Sequence, residues 1–168
     1  LYIMRGVIME KLYKEYSKKI YSYLLSLSND ENIAEELLQE TFYSAVKNIN
    51  KFRNESSVKN WLYTIAKNKW IDYYKKFQKT NTSELLEDNV NLLSNSTLEE
   101  EYLNKDELLN ICRKIHKMND NTKEIIYLRI FTNFSFKEIA NIIGKTEENT
   151  RLIFYRAKNK LKEDLKDG

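Results

Sequence analysis

Apolar residues recur along the chain at intervals of three and four, the spacing that lines one face of a helix. Leu12, Tyr16, Ile20, Tyr23, Leu24 and Leu27 trace a first amphipathic helix. Leu38, Phe42, Ala45 and Ile49 trace a second, with Glu35, Glu36, Gln39, Glu40 and Tyr43 turned elsewhere. A third stripe runs through Val58, Leu62, Ile65, Ala66 and Tyr73. Between the second and third helices lies NKFRNESS, a polar loop with a ring and an arginine near its middle. These helices predict a compact N-terminal unit over residues 9–79. The following segment, KTNTSELLEDNVNLLSNSTLEEE, is acidic, rich in Asn and Ser and weakly periodic. It reads as a flexible linker over 80–104 rather than a core element.

From residue 105 onward the pattern changes to short, well-punctuated helices, which predicts a second unit over 105–168. In FSFKEIANIIG, Ser135 and Glu138 have the spacing of a capping box, and Gly144 can end the helix in a left-handed conformation. KTEENTRLIFYRAKNKLK then restarts, with Thr146 as N-cap and Glu147 and Glu148 on the first-turn dipole. Small Ala140 four residues before Gly144, between two amphipathic helices, fits a helix-turn-helix. Ile125, Ile126, Leu128, Ile139, Ile142, Ile143, Phe154, Ala157 and Leu161 are the expected core. The outward face of the last helix offers Asn149, Arg151, Leu152, Tyr155, Arg156 and Lys158. Arg and Asn at the front of such a helix suit base edges in a major groove, and later lysines suit phosphates.

Composition supports an all-α fold of two small helical domains. There is no proline and there are three glycines, so the usual punctuation of β-hairpins is missing. The single cysteine, Cys112, excludes an internal disulfide and fits a reducing compartment. One Cys and one His leave too few soft ligands for a structural zinc site, and no metal or cofactor is expected. No apolar run approaches the roughly 20 residues that span a bilayer, so membrane insertion is not expected. The opening LYIMRGVIMEK is too brief for a secretory signal, and Met4 and Met9 are candidate start residues.

Net charge is only +3, but it is unevenly distributed. Residues 20–46 hold Asp30, Glu31, Glu35, Glu36 and Glu40 and no base. Residues 51–79 hold eight bases against Glu55 and Asp72, and residues 80–104 hold six acids and no base. Residues 145–162 return to six bases against two acids. Alternating blocks of this kind suggest separate surfaces for separate partners, two of them polyanionic.

The stretch KNWLYTIAKNKWIDYYKK combines five rings with five lysines. Tyr63, Lys67, Trp70 and Tyr74 fall within about 60° of one another on a helical wheel, beside the core stripe. Core packing competes with an exposed role for Trp61 and Tyr73, whereas Tyr63 and Tyr74 are read as facing solvent. Exposed rings interleaved with lysine make a platform for unpaired bases, since stacking contributes roughly 1–3 kcal/mol per base and tolerates sequence. A surface for duplex alone would not need the rings. The first unit is therefore expected to meet melted DNA and the second to meet duplex.

AEELLQETFYSAV, FRNESSVKNWLYTIAKNKWIDYYKK and FSFKEIANIIGKTEENTRLIFYRAKNKL, in this order and spacing, resemble the extracytoplasmic-function group of the sigma-70 family of bacterial RNA polymerase sigma factors. The resemblance runs from about Glu10 to Leu165 and implies an alternative sigma factor, not an enzyme. By it, Glu36, Gln39 and Glu40 would dock on the clamp coiled coil of the polymerase β′ subunit, with Phe42 packing inside. The loop Phe52, Arg53, Asn54, Glu55, Ser56 and Ser57 would border a pocket for a flipped base of the −10 element. Asn60, Tyr63, Lys67 and Asn68 would lie along the displaced strand, with Trp70 and Tyr74 on the same flank. Lys67 and Lys76 stand where the family often has Arg, which keeps charge but loses the bidentate fork. The acidic linker would thread the polymerase toward the RNA exit path.

The second unit would meet the β flap and read duplex at −35 through Thr146, Asn149, Arg151, Leu152, Tyr155, Arg156 and Lys158. Here Thr150 replaces a common Val, and Leu152 and Ile153 replace the usual Ser-Arg pair. An anti-sigma factor is the further implied partner, and the cytoplasm the implied location, with the anti-sigma factor able to hold the chain near a membrane. A polymerase-independent helix-turn-helix regulator would also explain the last two helices, but leaves the acid-only helix and the exposed rings without purpose. An enzyme is disfavoured: His116 is the only histidine, and nothing forms a nucleophile–base pair or a glycine-rich phosphate loop.

Overall fold

The computed structural model describes residues 2–52, 57–80 and 105–166, so the 81–104 part of the expected linker lies outside it. The chain divides into two units, 1–87 and 88–168. Every regular element among the described residues is helical.

In the first unit α1 (Tyr2–Ser28), α2 (Glu31–Asn48) and α3 (Val58–Thr80) pack together, with a short 3-10 turn (Ile49–Lys51) after α2. The α1–α2 corner is closed by local chemistry. Asn29 takes the left-handed conformation at φ 53°, and the Asp30 carboxylate accepts the Ile33 N–H at 3.0 Å as the α2 N-cap. Ile20, Tyr23 and Leu24 of α1 meet Ala34, Leu37, Leu38, Phe42 and Ala45 of α2 and Leu62, Tyr63 and Ala66 of α3 in the core. Thr41 sits among them with its hydroxyl donating to the Leu37 carbonyl at 2.6 Å, so its burial leaves no donor unsatisfied.

Tyr63 corrects the sequence reading: it is fully buried, with its ring 5.2 Å from that of Tyr23. The physical reason lies in the spacing. Residues 63, 66, 70, 73 and 77 are separated by alternating steps of three and four, so the inward stripe passes through Tyr63 rather than beside it. Asn60 is buried as well.

In the second unit α4 (Lys105–His116) and α5 (Asp120–Ile130) precede α6 (Phe136–Ile143) and α7 (Glu147–Lys166). Asn119 caps α5 by accepting the Thr122 N–H at 2.9 Å. The Ser135–Glu138 capping box is formed in both directions, at 3.2 Å to the Ser135 hydroxyl and 2.9 Å to the Glu138 carboxylate. Gly144 ends α6 at φ 72°, its N–H reaching the Ala140 carbonyl. Of the expected core, Ile125, Ile126, Leu128, Ile139, Ile142 and Ala157 are buried, while Ile143, Phe154 and Leu161 are half-buried. Phe134 and Phe136 are also buried.

A Cβ at Gly144 would meet nothing within 4 Å, so a substitution there is opposed by backbone strain and not by crowding. Gly144→Ala should cost about 1–2 kcal/mol, and Gly144→Asn less, in thermal unfolding of the second unit's transition. Equal costs for the two variants would show that the left-handed backbone is not what Gly144 supplies.

Candidate functional site

The outward side of α2 is built by exclusion. Ala34, Leu37, Leu38, Thr41, Phe42 and Ala45 face the core, which leaves Glu36, Gln39 and Glu40 exposed on the opposite side. Glu40 makes a 3.6 Å ion pair with Lys69 of α3, so the acidic face and the basic helix adjoin. Burial, and then the carboxylates of Asp30 and Glu36, hold the Tyr73 phenol above its ordinary value.

The α3 face is assembled from both ends. At its start the Ser57 hydroxyl accepts the Asn60 N–H at 3.1 Å, and the Ser57 carbonyl accepts the Trp61 N–H at 3.0 Å. Ser57 is therefore an N-cap, a structural role the sequence reading did not assign. Phe52 is half-buried with its ring 5.0 Å from Trp61. Arg53, Asn54 and Ser56 lie outside the described residues. Farther along, Trp70, Tyr73 and Phe77 form a ladder of near-parallel rings at 6.0 and 6.3 Å. Tyr74 flanks it 5.5 Å from Trp70.

Of the residues expected along a displaced strand, Asn68 and Tyr74 are exposed and Lys67 and Trp70 half-buried. Tyr63 and Asn60 are buried and so do not share that exposure. Tyr73 and Phe77 were missed as partners of Trp70. The three-and-four spacing that carries them was readable, but a search for exposed rings does not look for a stripe that continues past the core.

In the second unit Asn149, Arg151, Leu152, Tyr155, Arg156 and Lys158 are all exposed on α7, on the side away from buried Thr150 and Ala157. Thr146 is the N-cap, its hydroxyl accepting the Asn149 N–H at 3.2 Å. The Thr150 hydroxyl donates to the Thr146 carbonyl at 2.8 Å, which lets a polar residue occupy a buried position. Arg151 pairs with Glu147 at 2.7 Å and lies 5.1 Å from the centroid of Phe136. Arg129 lies 4.6 Å from the same ring and donates to the Phe134 carbonyl at 2.7 Å. Arg129 and Phe136 were not singled out from sequence, because their meeting joins α5 to α6 across a turn.

Among the described residues no group of His, Cys, Asp and Glu is placed to hold a metal ion. No described helix is long and apolar enough to cross a membrane. What the geometry offers is charged and aromatic surface suited to binding.

Residues 12–80 match the family model for sigma-70 region 2, and residues 115–163 match that for sigma-70 region 4. The chain is 30% identical over 160 residues to the RNA polymerase sigma factor YlaC of Bacillus subtilis, covering 94% of this chain and 91% of the relative. It is 29% identical to the ECF RNA polymerase sigma factor SigM of the same organism, covering 92% and 93%. Among solved structures it is similar to the sigma factor RpoE from Bartonella quintana, crystallised with the anti-sigma factor NepR. That similarity has a TM-score of 0.71 at 22% identity, over 94% of this chain and 96% of that one. CnrH, solved with the cytosolic domain of CnrY, gives a TM-score of 0.65 at 19% identity over 95% and 88%. At these identities the two structures speak to the fold.

The two tyrosines that sequence placed together should now separate experimentally. Tyr63→Ala should destabilise the first unit by about 3–5 kcal/mol, as expected for truncating a buried ring. Tyr74→Ala should change stability by no more than about 0.5 kcal/mol. Thermal and denaturant unfolding of the two variants checks both, and a stable Tyr63→Ala protein would contradict the core assignment.

Proposed function

Since the chain belongs to the sigma-70 family of RNA polymerase sigma factors, in its extracytoplasmic-function group, we propose a division of labour among its surfaces. As a sigma factor it is a transcription initiation factor and not an enzyme. Its partners are core RNA polymerase and promoter DNA, and its place is the cytoplasm. The proposal concerns which residues meet which partner.

Glu36, Gln39 and Glu40 of α2 dock on the β′ clamp of the polymerase. The observation that carries this is their exposure on one side of a helix whose other side is wholly committed to the core. An acidic face with no core duty is suited to a basic partner, and charge complementarity there favours both encounter and register. Lys67, Asn68, Trp70 and Tyr74 of α3 then receive the non-template strand as the −10 element melts. Phe52, Ser57 and the intervening Arg53, Asn54 and Ser56 border the pocket for a flipped base. Rings supply π-faces and lysines supply phosphate contacts, a combination that favours unpaired over paired bases.

The second unit meets the β flap and reads the −35 element in duplex form. Asn149, Arg151 and Leu152 at the front of α7 face base edges, with Leu152 suited to a thymine methyl. Thr146, Tyr155, Arg156 and Lys158 position the backbone. The segment over 80–104 runs between the units, over residues 9–79 and 105–168, through the polymerase. An anti-sigma factor holds the free protein inactive, and could do so at the membrane. A polymerase-independent regulator would leave the α2 acidic face unused, and nothing in the geometry favours it.

The Glu36→Lys, Glu40→Lys double variant should lose core polymerase affinity by roughly 100-fold at physiological salt while keeping its helical spectrum. Lys67→Ala and Tyr74→Ala should leave core binding unchanged. They should weaken capture of a single-stranded −10 oligonucleotide by the holoenzyme. Unimpaired assembly by the reversed variant would remove α2 from the docking role; normal capture by both α3 variants would move the strand elsewhere.

A further inference from the structure

The acidic face of α2 continues for another turn, and its continuation is apolar. Tyr43 follows Glu36, Gln39 and Glu40 at spacings of seven, four and three, which puts all four on one side of the helix. Its side chain is 62% exposed, and Val46, one turn on, is 51% exposed. Neither is needed inside: Phe42 and Ala45, their chain neighbours, fill the core on the other side. The Lys47 ammonium lies 4.7 Å from the Tyr43 ring centroid, within cation–π range.

We propose that Tyr43, with Val46 beside it, is the apolar anchor of the polymerase-docking face, seated in an apolar pocket with basic side chains at its rim. This rests on the reading of α2 as the docking face and adds to its charged contacts an apolar one. Exposed carboxylates at the edge of an interface govern approach and salt dependence, but contribute little once solvated and screened. Binding energy concentrates where a large, stiff side chain becomes fully desolvated at the centre of a patch, and tyrosine and tryptophan are over-represented there. On this face Tyr43 is the one such side chain, and Glu36, Gln39 and Glu40 lie to one side of it with Lys47 on the other. The charge of the face selects the partner's chemistry: lysines and arginines around the pocket, opposite Glu36 and Glu40.

The experiment compares full-length Tyr43→Ala, Tyr43→Phe and Tyr43→Lys with the Glu36→Lys, Glu40→Lys protein, titrating each against core RNA polymerase at low and at high salt. Tyr43→Ala is expected to weaken binding by about tenfold or more at both salts, leaving the salt slope unchanged. Tyr43→Phe should stay within about threefold of the parent, since ring area and not the hydroxyl is the anchor. Tyr43→Lys, whose solvated side chain puts no demand on the fold, should bind at least as weakly as Tyr43→Ala. The charge-reversed protein should lose affinity with an altered salt slope. Two results overturn the anchor. If Tyr43→Ala and Tyr43→Lys bind like the parent while charge reversal abolishes binding, the docking face stands and its anchor lies elsewhere. If all variants including the reversed one bind like the parent, the docking face itself is wrong and the anchor falls with it.

Discussion

Where the Tyr63 ring meets that of Tyr23, 5.2 Å between centroids, the rotation of α3 about its own axis is settled. Both rings are fully buried, so neither can turn out without opening a cavity the size of an aromatic side chain. Every outward position of α3 then follows from helical geometry. With Tyr63 and Ala66 inward, Trp70, Tyr73 and Phe77 must run along the same side toward the end of the helix. None of the three is fully buried, and no described residue of α3 beyond Ala66 is. The core stripe thus outlasts the core, and the rings stack on each other instead. A face that is half apolar, half open and flanked by lysines is what remains at the far end of the helix.

The same constraint acts on α2, whose inward residues are packed against α1 and α3. Thr41 illustrates how closed that side is: even its hydroxyl is turned back to the Leu37 carbonyl. The acidic residues are left with the outer side, in contact with water. The Glu40–Lys69 pair crosses between the two helices at the surface. With half of the Glu40 side chain exposed, it contributes little to stability. It does show that the surface of one sign begins within an ion-pair length of the surface of the other, so a partner covering α2 also comes close to α3.

Local chemistry was the most legible part of the sequence. The Ser135–Glu138 box and the left-handed Gly144 are decided within a few residues, and both formed as their side chains dictate. The same holds for Thr146 ahead of α7 and for the outward set from Asn149 to Lys158. Legibility failed where a position depended on a partner helix. Tyr63 has a neighbourhood of lysines and rings that suits a solvent-facing platform, and only Tyr23, forty residues earlier, decides otherwise. Asn60, which the family resemblance sets along a displaced strand, is buried as well. The first helix extends upstream of Leu12, to Tyr2, and Met9 on that added stretch is buried.

The helix-turn-helix carries the argument about partner helices one step further. Phe136 is the first residue of α6 and is buried, yet two guanidinium groups lie near its ring, from Arg129 on α5 and Arg151 on α7. Arg129 is fixed by its bond to the Phe134 carbonyl just before the turn. Arg151 also pairs with Glu147 one turn earlier on its own helix. A single aromatic ring therefore gathers charge from the helices before and after it. Each guanidinium lies within cation–π range of that ring. Because Arg151 is exposed at the front of α7, this cluster orients a side chain suited to DNA before any DNA is present. Holding a rotamer in advance removes part of the ordering cost of binding. The packing that defines the fold of this unit is in that sense also the preparation of the face proposed to read the −35 element.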